Sequence, residues 1–253
     1  MHSSISPAPE DNRQSWSGIW SGLIWFVIGY VAISIAQLVA IVIAVAAETA
    51  TTGAELGEDR VMELAIDGDT LALSLVLALP AVLGLLAIAV KNRRNEPLFE
   101  FLGIRSADKA SILRWSVYAI GLLITIAVLD ELLGRPPVPE FVQKAYGSAD
   151  NLLLFWIGIA LMGPITEELL FRGYIARVWA NSRLGPVGTT VFLSMLWAAT
   201  HLQYDLYDMA WVFILGTLLC LSRLQTNSIL PAVIIHIGWN SAAMVATAYY
   251  HGP

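Results

Sequence analysis

The sequence predicts an all-α membrane protein, a polytopic bundle of about seven transmembrane helices with a polar site between the helices that carry three motifs. Its 253 residues are 57% hydrophobic and only 13% charged, whereas soluble domains average about 25% charged residues. The mean hydropathy is +0.67. The few charges are also unevenly spaced, and the gaps between them are long enough for helices of about 20 residues, the length that crosses a bilayer.

These uncharged stretches predict the positions of the spans. The shortest gap is 209–222, and we expect its helix to extend into Tyr204–Asp208. We expect residues 1–13 to form a disordered tail and residues 14–253 to form a single integral-membrane domain. The seven stretches are 14–47, 70–90, 115–129 with its extension through Leu133, one that begins at Asn151, 184–204, 209–222 and 224–253.

Charge and cysteine content exclude several classes of function. The net charge of −6 provides no basic surface for nucleic acid, and the single cysteine, Cys220, excludes an internal disulfide and a cysteine-based metal cluster. With seven spans, 11 of the 14 basic residues fall on the side of the N-terminus. Basic residues favour the cytoplasmic side. We therefore expect a cytoplasmic N-terminus and an outside C-terminus, in the plasma membrane if the protein is bacterial.

The first motif is "GPITEELLFRGYIAR", which begins at Gly163. Glu168 and Arg172 are four residues apart and share one helix face, while Glu167 is turned about 100° away. A charge at the centre of a membrane helix costs roughly 2.5–3.5 kcal/mol. The spacing predicts that Glu168 pairs with Arg172 and that Glu167 points elsewhere. The alternative is an ion pair at a helix end near water.

Two further motifs lie on later helices. In "WAATH", His201 follows Trp197 by four residues, and in "HIGWN", His236 and Asn240 share a face. At a rise of 1.5 Å per residue, Glu167, His201 and His236 fall within one central slab about 10 Å thick. The alternatives are an interfacial histidine at His201 and an asparagine that only joins helices at Asn240.

The chemistry of this set indicates hydrolysis by an activated water. A glutamate in a low-dielectric pocket is a suitable general base, so Glu167 would deprotonate water with the help of His201. His236 and Asn240 would donate hydrogen bonds to the developing oxyanion. Two histidines and a glutamate are also a known zinc set. Glu167, His201 and His236 would then bind a divalent metal such as zinc, which the sequence permits without requiring.

With these motifs, the chain resembles the CPBP intramembrane proteases, the CaaX-protease and bacteriocin-processing (Abi-type) family. "EELLFR" matches the EExxxR motif of that family, "WAATH" stands in place of FxxxH, and "HIGWN" matches HxxxN. The segment "LFEFLGIR" is also similar to a family feature, so the protease core would cover about 98–248. The resemblance implies a general base at Glu167, supported by Glu168 and Arg172. The same resemblance implies water activation by His201 and oxyanion stabilisation by His236 and Asn240.

The resemblance leaves open whether a metal takes part and which substrate is cleaved. The departure from the motif is Trp197 in place of phenylalanine, which we expect to reshape the pocket wall. We expect membrane lipid and a membrane-bound or lipidated peptide as partners. The competing hypotheses are a non-catalytic immunity or scaffold protein that binds a peptide, and a transporter with a glutamate–histidine relay. Asp130 and Glu131 are expected near the outer interface without a catalytic role.

Overall fold

A computed structural model describes residues 16–91 and 96–251, so the tail expected at 1–13 lies outside the described residues. Within these two ranges the regular structure is helical, without a β-strand, which confirms the predicted fold class. The ten helices of these ranges are α1 (Ser17–Thr52), α2 (Glu58–Ile66), α3 (Gly68–Lys91), α4 (Leu98–Leu102), α5 (Lys109–Leu133), α6 (Glu140–Ser148), α7 (Leu152–Ala180), α8 (Gly185–Ala199), α9 (Leu206–Thr226) and α10 (Leu230–His251).

Six of these described helices, α1, α3, α5, α7, α9 and α10, are long and apolar enough to span a membrane. The seventh predicted span, 184–204, is apolar but contains only the 15-residue helix α8, which ends before Thr200. The expected extension of 209–222 is present, since α9 starts at Leu206. There the Asp205 side chain caps the helix by accepting the N–H of Asp208 at 2.9 Å.

Helix α7 carries the first motif and contains two π-helical stretches, Ile157–Met162 and Leu169–Ile175. In the first stretch the Gly163 N–H bonds the Gly158 carbonyl, five residues back. The next residue, Pro164, has no N–H to offer the Ile159 carbonyl. That carbonyl instead accepts a hydrogen bond from Asn240 Nδ2 on α10 at 2.9 Å. The irregular backbone of α7 is therefore held by a side chain from another helix.

The second π-helical stretch is held in the same way. The Ala176 N–H bonds the Phe171 carbonyl rather than that of Arg172. The Arg172 carbonyl accepts a hydrogen bond from Arg223 Nε on α9 at 3.0 Å. Two helices that carry or border the later motifs are thus tied to the backbone of α7.

The "LFEFLGIR" segment is bonded to the turn where α9 ends and α10 begins. Gly103 has a left-handed φ of 73°, and its carbonyl accepts the Ile229 N–H at 3.0 Å. Ser228 donates its hydroxyl to the Arg105 carbonyl at 2.5 Å. Arg177, at the end of α7, donates to the Phe101 carbonyl at 2.9 Å. This segment therefore connects α7 to the turn between α9 and α10.

Candidate active site

A cavity of about 420 Å³ lies between α5, α7, α8, α9 and α10. Side chains from all three motifs line it: Glu167, Trp197, His201, His236 and Asn240. The rest of the lining is mostly apolar, as in small-molecule and peptide pockets of this size. From Glu167 the cavity extends to the end of the bundle where α5 and α10 end and α9 begins. The residues there are Asp130, Pro136–Pro139, Tyr204, Asp208 and Tyr250.

Glu168, Arg172 and His236 form a buried polar network behind this cavity. Arg172 donates through one guanidinium nitrogen to Glu168 Oε1 at 3.0 Å, and neither side chain is exposed. A second guanidinium nitrogen donates to the Gly216 carbonyl at 3.2 Å. The same Glu168 oxygen accepts from His236 Nδ1 at 2.9 Å. The ion pair expected from the four-residue spacing is thus present. A histidine from another motif joins it by bonding the same Glu168 oxygen.

Glu167 points away from this network and into the cavity. Its side chain is half-buried and accepts a hydrogen bond at Oε2 from the indole Nε1 of Trp197 at 2.5 Å. One carboxylate therefore belongs to a buried ion network, while its neighbour is presented to the cavity.

The two histidines share one arrangement of ring nitrogens. His201 Nδ1 lies 2.9 Å from the Trp197 carbonyl, which only accepts, so this nitrogen carries the proton. His236 Nδ1 faces Glu168 and is likewise the donor to a carboxylate. In the neutral form of an imidazole the remaining nitrogen, Nε2, holds a lone pair and accepts a hydrogen bond, whereas in the imidazolium form it donates one.

Asn240 lines the cavity and is also a helix-joining residue. One of its two N–H groups donates to the Ile159 carbonyl, and the amide has a second N–H. Asn240 therefore does join two helices, as the alternative interpretation expected. Its second N–H is the one that could donate to an oxyanion.

The side chains predicted as metal ligands do not come together at one point. Across 16–91 and 96–251, no three histidine, cysteine, aspartate or glutamate side chains are grouped closely enough to hold one metal ion. Glu167, His201 and His236, the expected ligands, do not fit such a site as they are placed.

One acid near the end of α5 is buried within the protein. Asp130, expected near the outer interface, is only 7% exposed and lines the cavity. The hydroxyl of Tyr207 donates to its Oδ1 at 2.7 Å. Glu131, the next residue, is exposed. The burial of Asp130 depends on a tyrosine from α9, a partner that local spacing on α5 cannot reveal.

Residues 149–242 match the family model described as "Type II CAAX prenyl endopeptidase Rce1-like". This segment contains the three motifs from Glu167 to Asn240, and the match confirms the resemblance to the CPBP family.

The chain is similar to an uncharacterized 24.3 kDa protein of Escherichia coli, with 27% identity over 49% of this chain and 58% of that protein. It is also similar to the UPF0177 protein YajF of Lactococcus lactis, with 27% identity over 45% of this chain and 59% of that protein. The chain thus spans less than two thirds of the length of either relative. No solved structure matches the chain.

Proposed function

Starting from the match of residues 149–242 to a family of CAAX-type prenyl endopeptidases, we propose that this chain is an intramembrane endopeptidase. It hydrolyses a peptide bond of a membrane-bound or lipidated substrate with a water activated by Glu167. The observation that carries the proposal is the cavity into which Glu167, His201, His236 and Asn240 project together. A purely peptide-binding protein has no need of a carboxylate and two imidazoles that line the same cavity.

The reaction begins with a water held between Glu167 and His201. Glu167 takes one proton from the water while the water oxygen forms a bond to the scissile carbonyl carbon. The carbonyl electron pair moves to oxygen, which becomes an oxyanion. When this tetrahedral intermediate collapses, the carbon–nitrogen bond breaks and the leaving amine takes the proton from Glu167. His201, anchored through Nδ1, accepts a hydrogen bond from the water at Nε2 and fixes its direction.

His236 and Asn240 would stabilise the oxyanion. For His236 to donate through Nε2 it must be an imidazolium, because its Nδ1 proton is already directed at Glu168. The second N–H of Asn240 supplies another donor. One such donor contributes about 2.7–4 kcal/mol to transition-state stabilisation in other hydrolases.

One end of the cavity lies at one end of the helix bundle, and this suggests which side of the membrane it faces. Its polar end lies at the C-terminal ends of α5 and α10. With the cytoplasmic N-terminus and outside C-terminus that the basic residues favour, we propose that this end faces the outer side of the membrane.

The proposed function is tested by replacing Glu167 with glutamine. The probe is a quenched fluorescent peptide that ends in a farnesylated CaaX sequence, offered to the purified protein in phospholipid vesicles. We expect Glu167→Gln to abolish cleavage while the helical circular dichroism stays unchanged. The matched control is Glu131→Gln, an exposed acid outside the cavity, which should retain full activity. Full activity in Glu167→Gln would remove the general base from the mechanism.

The metal alternative needs its own measurement. We expect dialysis against a chelator to leave the cleavage rate unchanged, because the candidate ligands do not group around one point. A rate lost on chelation and restored by added zinc would show that the zinc-dependent hydrolysis is correct instead.

A further inference from the structure

Trp197 contacts four charged or imidazole side chains of the site, those of Glu167, Arg172, His201 and His236. Its indole N–H donates to Glu167. The ring centroid lies 5.2 Å from that of His201 and 5.3 Å from that of His236, both in edge-to-face geometry. The Arg172 guanidinium carbon lies 4.4 Å from the ring centroid, within cation–π distance. The side chain is 1% exposed, so these contacts are made in a tightly packed interior.

The neighbouring helix leaves room for an indole at this point. A Cβ atom on Gly216 of α9 would lie 2.8 Å from Cε3 of Trp197 and 3.3 Å from the Ser194 Cβ. Distances under 3.0 Å are not tolerated by real side chains, and a packed ring atom does not move aside as the end of a flexible chain does. The glycine is therefore required by the large ring rather than by the helix itself.

We propose that Trp197 is the positioning residue of the site, and that its indole N–H aims Glu167 into the cavity. The inference rests on the proposed function for its catalytic consequence, but the positioning itself does not. A phenylalanine in this place would still pack against the imidazoles and the guanidinium. It would lack the donor, and Glu167 would lose the partner that fixes its carboxylate.

The first test is Trp197→Phe in the farnesylated-peptide assay. A hydrogen bond to a charged group is lost while the apolar contacts remain, so we expect kcat to fall about 10- to 100-fold with KM unchanged. The matched control is Trp115→Phe, because Trp115 is buried on α5 outside the cavity and its Nε1 has no hydrogen-bond partner. Equal kcat in wild-type and Trp197→Phe protein, or a loss confined to KM, would overturn the proposal.

The second test does not depend on catalysis. Protein labelled with ¹⁵N at its tryptophan indoles is studied by NMR in detergent micelles, and Trp197→Phe identifies the Trp197 signal by its loss. We expect Glu167→Gln to shift this signal, while the Trp115 signal stays in place. An unmoved Trp197 signal would overturn the positioning. If the wild-type protein cleaves no peptide but the signal shifts, the proposed function fails and the positioning stands.

A third variant keeps the indole and displaces it. Gly216→Ala should press on the ring and lower kcat, whereas Gly84→Ala, whose Cβ would meet nothing within 4 Å, should have no effect. The Gly216→Ala variant should also shift the Trp197 indole signal. An unshifted signal in this variant would contradict the close packing on which the proposal relies.

Discussion

Replacing Arg172 with methionine tests the buried network most directly. The substitution removes the hydrogen bond to Glu168, the bond to the Gly216 carbonyl and the cation–π contact with Trp197. Glu168 is left as a carboxylate with no exposure to solvent, and among the described residues it keeps only His236 as a partner. Removing one partner of a buried ion pair costs about 3–5 kcal/mol, since the remaining charge is uncompensated.

Because His236 remains beside Glu168, we expect a loss at the lower end of that range, about 3 kcal/mol in the free energy of unfolding. The assay is equilibrium unfolding in dodecyl maltoside micelles with increasing sodium dodecyl sulfate, followed by helical circular dichroism. The control is Lys144→Met, which breaks an exposed pair of the same four-residue spacing with Glu140. That pair should contribute no more than about 0.5 kcal/mol.

The double variant Arg172→Met/Glu168→Gln should be less destabilised than the sum of the two single variants, because it leaves no unpaired carboxylate. A loss below about 1 kcal/mol for Arg172→Met, or one as small as that for Lys144→Met, would refute the assignment of a structural role to the network.

Two further predictions use matched pairs in the same unfolding assay. Asn240→Ala leaves the carbonyl that it caps without a partner, so we expect a loss of about 1–3 kcal/mol. Asn181→Ala, whose bond to a helix carbonyl is exposed, should change little, and equal losses would contradict the capping role. Gly103→Ala combines a left-handed φ of 73° with a Cβ placed 2.7 Å from a buried guanidinium. It should destabilise the protein more than Gly53→Ala does. At Gly53 φ is 69° and the space is open, so only about 1–2 kcal/mol of backbone strain applies. A smaller effect at Gly103 than at Gly53 would be contrary to this packing.

The positions of the long spans were predictable because charges are excluded from helices in lipid. The same rule failed for α8, since an uncharged stretch can still contain a polar turn. Thr200 and Gln203 carry no charge, and the chain leaves the helix there before His201. A count of charges therefore overestimates the length of a span that ends in uncharged polar residues.

Within the candidate site, the pair of Glu168 and Arg172 followed from helix periodicity alone. Contacts between helices did not. The bond from Asn240 to the Ile159 carbonyl requires a π-helical backbone that no local pattern encodes. The donation from Trp197 to Glu167 likewise depends on how far α8 lies from α7. Spacing within a helix indicates which residues share a face, but it does not indicate which atoms meet across helices.

The Ile159 and Arg172 carbonyls of α7, which accept hydrogen bonds from α10 and α9, also determine how the bundle should respond to bilayer thickness. Sliding α9 or α10 along α7 by one residue would carry Arg223 or Asn240 about 1.5 Å along the axis and break its bond to α7. Because the helices are held in fixed register, the bundle should adapt to thinner or thicker bilayers by tilting as a unit. The relative placement of Glu167 and His236 would then be independent of acyl-chain length.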